Sequence, residues 1–506
     1  MYASIEPGGF EVVQMANIVR QLVATTPESV AEAAFTEVLL FVEKAMLKTI
    51  VTGAISLCSF AAIGADLTSQ QQQAKEIYKQ LVEINTSHSV GDTTIAAQAM
   101  ADRLIAAGLP KADVQVLVEV PKKGNLVARL RSKTPNGKKP ILLLAHLDVV
   151  EAKREDWSME PFKFIEKDGY YYGRGTADDK AMASIFVANL IRYLKEGYRP
   201  SRDIIIALTA DEESGDNNGV DWLVEKHRPL IDSAFAFNEG GGGQAQKGKK
   251  LLNGVQAAEK VFQSFTLTAT NRGGHSSQPR KDNAIYDLSR ALVKVADFEF
   301  PIMLNDITRT YFEKMSTIET GQAAADFKAI TTSGPPAEVV KRLSGQPVYN
   351  SMLRTTCVAT LLEGGHAENA LPQTAKANVN CRMLPNHDPK DVLATLKRVV
   401  GNEQITIAPV KNFRPSPPSP LTPEVFGAIE ALTAKMWPGV PVVPLMSTGA
   451  TDAIPLRGGG IPVYGVSGIF GDIDDVRAHG RDERVLIQSY YEGLEFLYQL
   501  VKDVTK

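Results

Sequence analysis

The sequence predicts an α/β protein whose main sheet is covered by helices on both faces and which carries a second, smaller α+β unit. Three observations support this. Residues 140–145, 203–210 and 234–237 are nearly unbroken apolar runs, as suits strands buried on both sides. Segments of helical period separate them, the clearest placing Met182, Ile185, Phe186, Leu190 and Tyr193 on one face before Gly197. From Ala257 to about Pro409 the runs instead alternate apolar with polar, the pattern of half-exposed strands, so a separate domain is expected there.

At 506 residues the chain has room for two or three domains. Its net charge of −3 and ordinary composition are those of a soluble globular protein, and no basic run interleaved with aromatics points to nucleic acid. From Met46 the order is one lysine, an apolar run and then small residues up to Ala65, the layout of a secretory signal. Residues 1–65 are therefore expected to be an upstream extension plus signal peptide, with translation starting at Met46. The mature protein would be periplasmic or secreted, without stable membrane insertion after processing. The alternative is an amphipathic amino-terminal helix joined to a short anchor. Cys58 is a poor lipidation site because Leu57 stands where a small residue is wanted. In an oxidising compartment Cys357 and Cys381 would pair or remain buried thiols; the sequence leaves both open.

Residues 70–105 read as helical, interrupted at Gly91, and lead to short strands at 114–118 and 125–130. The first buried run then ends in His146-Leu147-Asp148. Residues two apart on a strand point the same way, and ligands gather at strand carboxyl ends in open α/β sheets, so His146 and Asp148 would share a crevice. Taken alone they read equally well as strand caps. After a polar loop and a hairpin near Asp168, Asp178 stands just before a helix, where it would also serve as a simple N-cap. The second run ends in Asp211-Glu212-Glu213 and the third in Asn238-Glu239. Carboxylates crowded at one rim repel unless cations hold them, and imidazole with carboxylate but no thiolate suits zinc, cobalt or manganese.

Helices near 283–295 and 389–400 belong to the alternating region, and residues 414–420 form a proline-rich linker. Beyond it a helix at 422–436, a strand at 461–466 and a closing helix at 486–502 return to the first style. Residues 240–243 are four glycines, yet no P-loop lysine follows, so tight turning beside Glu239 is preferred to phosphate binding. His88, His227, His366 and His387 fit no pattern and read as surface or loop residues.

His146-Leu147-Asp148, the block 173–180, Asp211-Glu212-Glu213, Asn238-Glu239-Gly240, Gly273-Gly274-His275 and Ala478-His479 together resemble the M20 metallopeptidases. That family includes succinyl-diaminopimelate desuccinylase, aminoacylase-1, glutamate carboxypeptidase and carboxypeptidase S. The likeness runs from about Gln70 to the end, and the block 146–180 looks closest to the carboxypeptidase S branch. It implies a zinc-exopeptidase-like mixed sheet sandwiched by helices (residues 66–256 and 414–506) and an inserted ferredoxin-like dimerisation lid (residues 257–413).

The resemblance further implies a pair of divalent metal ions, zinc foremost, with cobalt or manganese as alternatives. His146 and Glu239 would hold one ion, Glu213 and His479 the other, and Asp178 would bridge them. The adjacent Asp179 makes the choice of aspartate ambiguous, and counting from Gly173 favours Asp178. Asp148 would orient His146 through its second ring nitrogen, and Glu212 would be the general base. His275 would reach a partner subunit's active site to stabilise the oxyanion, although some relatives are monomers. Asn369 and Arg382 match substrate-contacting positions, with Arg382 pairing the substrate carboxylate or else making a packing salt bridge. The implied reaction is hydrolysis of an amide next to a free carboxylate, on a small peptide or an N-acyl amino acid. A cytosolic dipeptidase or deacylase is the alternative. A non-catalytic binding relative would be expected to lose Glu212 or a ligand, and all are present.

Overall fold

The computed structural model describes residues 67–215 and 217–506; the expected extension and signal peptide, with Cys58, lie outside them. Among the described residues no helix is long and apolar enough to cross a membrane.

A ten-stranded mixed sheet organises the larger part. In chain order its strands are β1 (Val114–Val118), β2 (Gly124–Leu130), β3 (Ile141–His146), β4 (Ile204–Thr209), β5 (Phe235–Asn238), β6 (Gly243–Gln246) and β7 (Lys249–Glu259). The inserted unit supplies β8 (Val261–Thr270), β9 (Thr356–Gly364), β10 (Thr374–Met383) and β11 (Ile405–Pro409). The large sheet then resumes with β12 (Val442–Ser447), β13 (Val463–Gly465) and β14 (Phe470–Asp472). The order across the large sheet is β1-β2-β4-β3-β5-β13-β7-β6-β14, with β12 beside β7.

The three apolar runs lie together at its centre, and β3 pairs in parallel with both β4 and β5. Ile141 stands opposite Ile204 and Phe235, so the strands end at one edge. Alternate residues of one strand serve different cores. Leu143 packs with Ile206, Phe237, Ile185 and Leu497, while Leu142 and Leu144 pack with Ile205, Val220, Leu223 and Leu456. Burial on both faces is why these strands tolerate no polar residue until they end. Truncating Leu143 to alanine is expected to cost about 2–5 kcal/mol.

The helix Lys180–Glu196 packs on β3, Ser69–Glu83 and Ile487–Val504, and is apolar on nearly every side because it is covered on nearly every side. It ends as the sequence predicts, at Gly197 in the left-handed region (φ 66°), a backbone state that costs a residue without Cβ little. The helical reading of residues 70–105 resolves into two helices, Ser69–Glu83 and Thr93–Ala106, the second capped by Asp92 accepting from the Thr94 N–H.

The inserted unit is an antiparallel sheet in the order β9-β10-β8-β11, with Ala284–Asp297 and Pro389–Val400 packed on it. That β-α-β-β-α-β run is ferredoxin-like. Its core, with Phe265, Leu267, Leu288, Val379 and Leu396, is separate from that of the large sheet. A disulfide joins Cys357 and Cys381, directly opposite each other on β9 and β10. Between the first helix of this unit and β9 come four helices, Asp306–Ile318, Gly321–Ile330, Ala337–Ser344 and Pro347–Leu353. No motif in the sequence marks them. Their Ile307, Phe312, Phe327 and Leu343 join the core of the large sheet, not that of the inserted one.

Candidate active site

The acids and imidazoles predicted at the rim meet at the carboxyl ends of β3, β4 and β5 and in two facing loops. β3 ends on His146, which is 2% exposed. Its Nε2 lies 2.8 Å from Asp178 Oδ1. The second oxygen of Asp178 is 3.2 Å from Nε2 of His479, and that nitrogen is 3.1 Å from Glu213 Oε1. His146, Asp178 and Glu213 each present a ligand atom within 4.8 Å of the others. Glu239 follows β5 and acts on the cluster through its charge.

Electrostatics confirm the crowding. Burial works against the charged forms, yet hydrogen bonds with His146 and His479 hold Asp178 well below the usual carboxylate range. Asp178 in turn lifts the ring of His479 to about 9. Burial, then Asp452 and Glu213, push Glu212 up to about 8 against the pull of His146. Burial and Asp178 push Glu213 up to about 7, and burial with Asp178 and Asp179 raises Glu239 well above its ordinary value.

Asp178, which lies between the two histidines, is the aspartate that geometry favours. Asp179 is buried, its Oδ2 has no hydrogen-bond partner, and burial pushes its carboxyl well above the usual carboxylate range. The peptide bond between the two aspartates is cis.

Asp148 does meet the second ring nitrogen of His146, but through its main chain and not its carboxylate. Its carboxylate is 3.7 Å from His146 Nδ1, too far for a hydrogen bond, and the ring nitrogen meets the backbone carbonyl of Asp148 at 2.9 Å instead. The carboxylate accepts the backbone N–H groups of Glu212 at 3.1 Å and Glu213 at 3.0 Å. The turn after β4 supplies two backbone donors nearer to that carboxylate than the imidazole is. Asp148 thus fixes His146 through its main chain and the two glutamates through its side chain.

Two positioning residues escaped the sequence reading. The Asp452 carboxylate accepts from Thr209 Oγ1 at 2.9 Å and Asn218 Nδ2 at 2.6 Å, bracketing the loop that carries Glu212 and Glu213. Glu483 is fully buried and pairs with Arg174 at 2.6 Å. It also accepts backbone N–H groups of Gly175, Ala177 and Asp178, which fixes the loop presenting Asp178. Glu483 is an ordinary acid four residues after His479, with no local signal. Asp452 follows a Thr-Gly-Ala-Thr turn that motif matching does not place.

His275, Asn369 and Arg382 are not brought to the cluster; among the described residues no hydrogen bond or ion pair joins them to it. His275 is exposed and its Nδ1 lies 2.7 Å from Ser277 Oγ. Asn369 is its neighbour, since Ser276 N–H donates to the Asn369 carbonyl and His275 pairs with Ala370. Arg382, on β10, lies over the Phe262 ring at 5.3 Å, and its buried Nη1 has no partner. No carboxylate makes the packing salt bridge that was the alternative for Arg382 among the described residues.

The donor set fits divalent metal. Glu213 Oε1 is buried and makes no hydrogen bond although a histidine nitrogen is 3.1 Å away, as expected of ligands aimed at a common point. Imidazole and carboxylate without thiolate match the preferences of zinc and its neighbours.

A histidine–carboxylate cluster at the carboxyl edge of a helix-covered sheet defines a metal-dependent hydrolase. The chain belongs to peptidase family M20/M25/M40, whose description fits residues 142–503. It is 30% identical over 371 residues to N-fatty-acyl-amino acid synthase/hydrolase PM20D1 of Xenopus tropicalis, covering 72% of each chain. It is 29% identical to probable carboxypeptidase S-like 2 of Dictyostelium discoideum, covering 73% of this chain and 72% of the other. Among solved structures, the M20 family metallo-carboxypeptidase Sso-CP2 from Sulfolobus solfataricus shares the fold. That match has a TM-score of 0.63 and 18% identity, and covers 86% of this chain and 99% of that one.

Proposed function

We propose that this M20 enzyme hydrolyses an amide adjacent to a free carboxylate, in an N-acyl amino acid or a short peptide, with two divalent ions, zinc foremost. The observation that carries the reading is Asp178 set between His146 and His479 with Glu213 on the same nitrogen of His479. His146 and Glu239 would hold one ion, Glu213 and His479 the other, and Asp178 both. When bound, such a pair supplies the charge that makes a water acidic near neutrality and polarises an amide carbonyl. Glu212 takes the proton of the attacking water and returns it to the departing nitrogen. Asp148 keeps Glu212 and Glu213 at fixed height by holding their backbone N–H groups.

Arg382, with an unpaired buried guanidinium nitrogen, is our candidate for the substrate carboxylate. The exposed His275 and Asn369, side by side on the inserted unit, would complete the site across a homodimer. The names of the relatives support both substrate types. The cross-strand disulfide suits an oxidising compartment and supports our reading that the enzyme is exported.

The test is hydrolysis of N-acyl amino acids and Gly-X dipeptides by protein loaded with zinc or cobalt. Glu212→Gln should lower kcat about 10²–10⁴-fold while bound metal, measured by mass spectrometry, stays unchanged. Full rate in that variant, or inactivity of the wild type on the whole panel, overturns the proposal.

A further inference from the structure

One connector, outside every motif read from the sequence, touches all three stretches that bring His146, Asp178 and Glu213 together. It comprises residues 84–92, between the helices Ser69–Glu83 and Thr93–Ala106. Links between helices ordinarily run over the surface, yet Thr86 and Ser87 are only 1% and 3% exposed. They lie along the chain that continues β3 beyond His146. Thr86 Oγ1 donates to the Leu147 carbonyl at 2.7 Å, the Val149 N–H donates to the Thr86 carbonyl, and Ser87 pairs with Val149 as neighbouring parallel strands do.

The same connector reaches the other two stretches. The carbonyl of Ile84 accepts from the buried Lys180 ammonium at 2.9 Å, two residues beyond Asp178. His88 Nδ1 accepts from Lys123 Nζ at 3.4 Å, and Lys123 in turn pairs with the fully buried carboxylate of Asp211, the residue before Glu212. Asp211 stands in the left-handed region (φ 66°), a state that a residue with Cβ keeps only where its surroundings impose it. Here they do so through Lys123 and through the Asn217 N–H, which donates to the other carboxylate oxygen at 2.9 Å. Gly91 closes the connector on itself. Its N–H donates to the Ser87 carbonyl at 2.9 Å, and a Cβ there would come within 2.3 Å of the Ser87 nitrogen, so only glycine allows this fold.

We propose that the connector 84–92 is a clasp that sets the mutual placement of His146, Asp178 and Glu213, with Thr86 and Lys123 as its positioning residues. A link needed only to join two helices would require none of these contacts. The inference rests on the metal reading above and adds residues that hold the ligand-bearing backbone without touching the ions.

The test measures zinc affinity of the full chain by competition with a chelating dye. Thr86→Val, which keeps the shape and removes the hydroxyl, and Lys123→Met, which removes the charge, should each lower it about 10–100-fold. Thr86→Ser and Lys123→Arg should restore it. Leu288→Ala weakens the separate core of the inserted unit and should leave zinc affinity unchanged. Hydrogen exchange of metal-free protein reads the same placement without the ions. Peptides covering 146–151 and 211–215 should exchange faster in Thr86→Val and Lys123→Met than in the wild type. Unchanged exchange in both variants overturns the clasp, and so does a loss of zinc affinity in Leu288→Ala equal to theirs. Faster exchange in both, with no zinc bound by the wild type, supports the clasp and overturns the metal reading.

Discussion

His146 and His275 show two ways of holding a histidine. His146 ends a buried central strand, engages a partner through each ring nitrogen and is 2% exposed. His275 sits in a two-residue ladder on the inserted unit, exposed, against a serine of its own turn. The first is fixed by the packing of the whole large sheet, which is the kind of support a metal ligand needs. The second is held by local contacts and is suited to meeting something that arrives. The comparison teaches that the large sheet fixes its side chains through long-range packing, while the inserted unit holds the side chain of an exposed histidine through contacts of its own turn.

Five experiments press on this contrast. Chelation should have the largest effect, abolishing hydrolysis and lowering the melting temperature, with zinc or cobalt restoring both. If the rim were complete without metal, neither would change. Glu483→Gln comes next. It removes the anchor of the Asp178 loop and leaves Arg174 buried without its partner, so a loss of about 3–5 kcal/mol in urea unfolding is expected. Metal affinity should fall by about 10–100-fold, a change that a purely structural residue would not produce. Asp452→Asn should give the milder version of the affinity loss.

On the inserted unit the expected effects are on stability. Replacing both Cys357 and Cys381 with serine opens a link across 24 residues, worth about 3 kcal/mol. Calorimetry should show the loss, with metal content at the rim intact. A fall in bound metal would show that the two regions are less separate than the two cores suggest.

Lys260 gives the most specific effect, confined to one pH window. It joins β7 to β8, between the two sheets, and donates to the carbonyls of Ser351 at 2.9 Å and Arg354 at 2.8 Å. Burial, then Arg382, push its ammonium down to about 7, whereas in the unfolded chain it titrates near the ordinary value of about 10.4. Between these values the unfolded chain binds more protons, so stability should rise as pH climbs from about 7 towards 10 and be lost as it falls back. The urea midpoint of Lys260→Met should lack that part of the slope. An unchanged slope would show that its carbonyl acceptors keep the lysine charged.

The sequence by itself determined the buried strands and their ends. Ile141, Ile204 and Phe235 begin runs that only a doubly covered sheet can bury, and such runs must stop where polarity begins, so His146, Glu212, Glu213 and Glu239 were legible as a group. The helix stop at Gly197 was legible for a similarly local reason. The tertiary structure alone decided which aspartate faces the histidines, that Asp148 serves the glutamates through its carboxylate, and that Asp452 and Glu483 hold the loops. It also decided that the four helices between Asp306 and Leu353 join the first core. The physical reason is range. Periodicity and chain breaks are written in neighbouring residues, whereas a hydrogen bond between residues 64 or 305 positions apart exists only once the chain has closed around it.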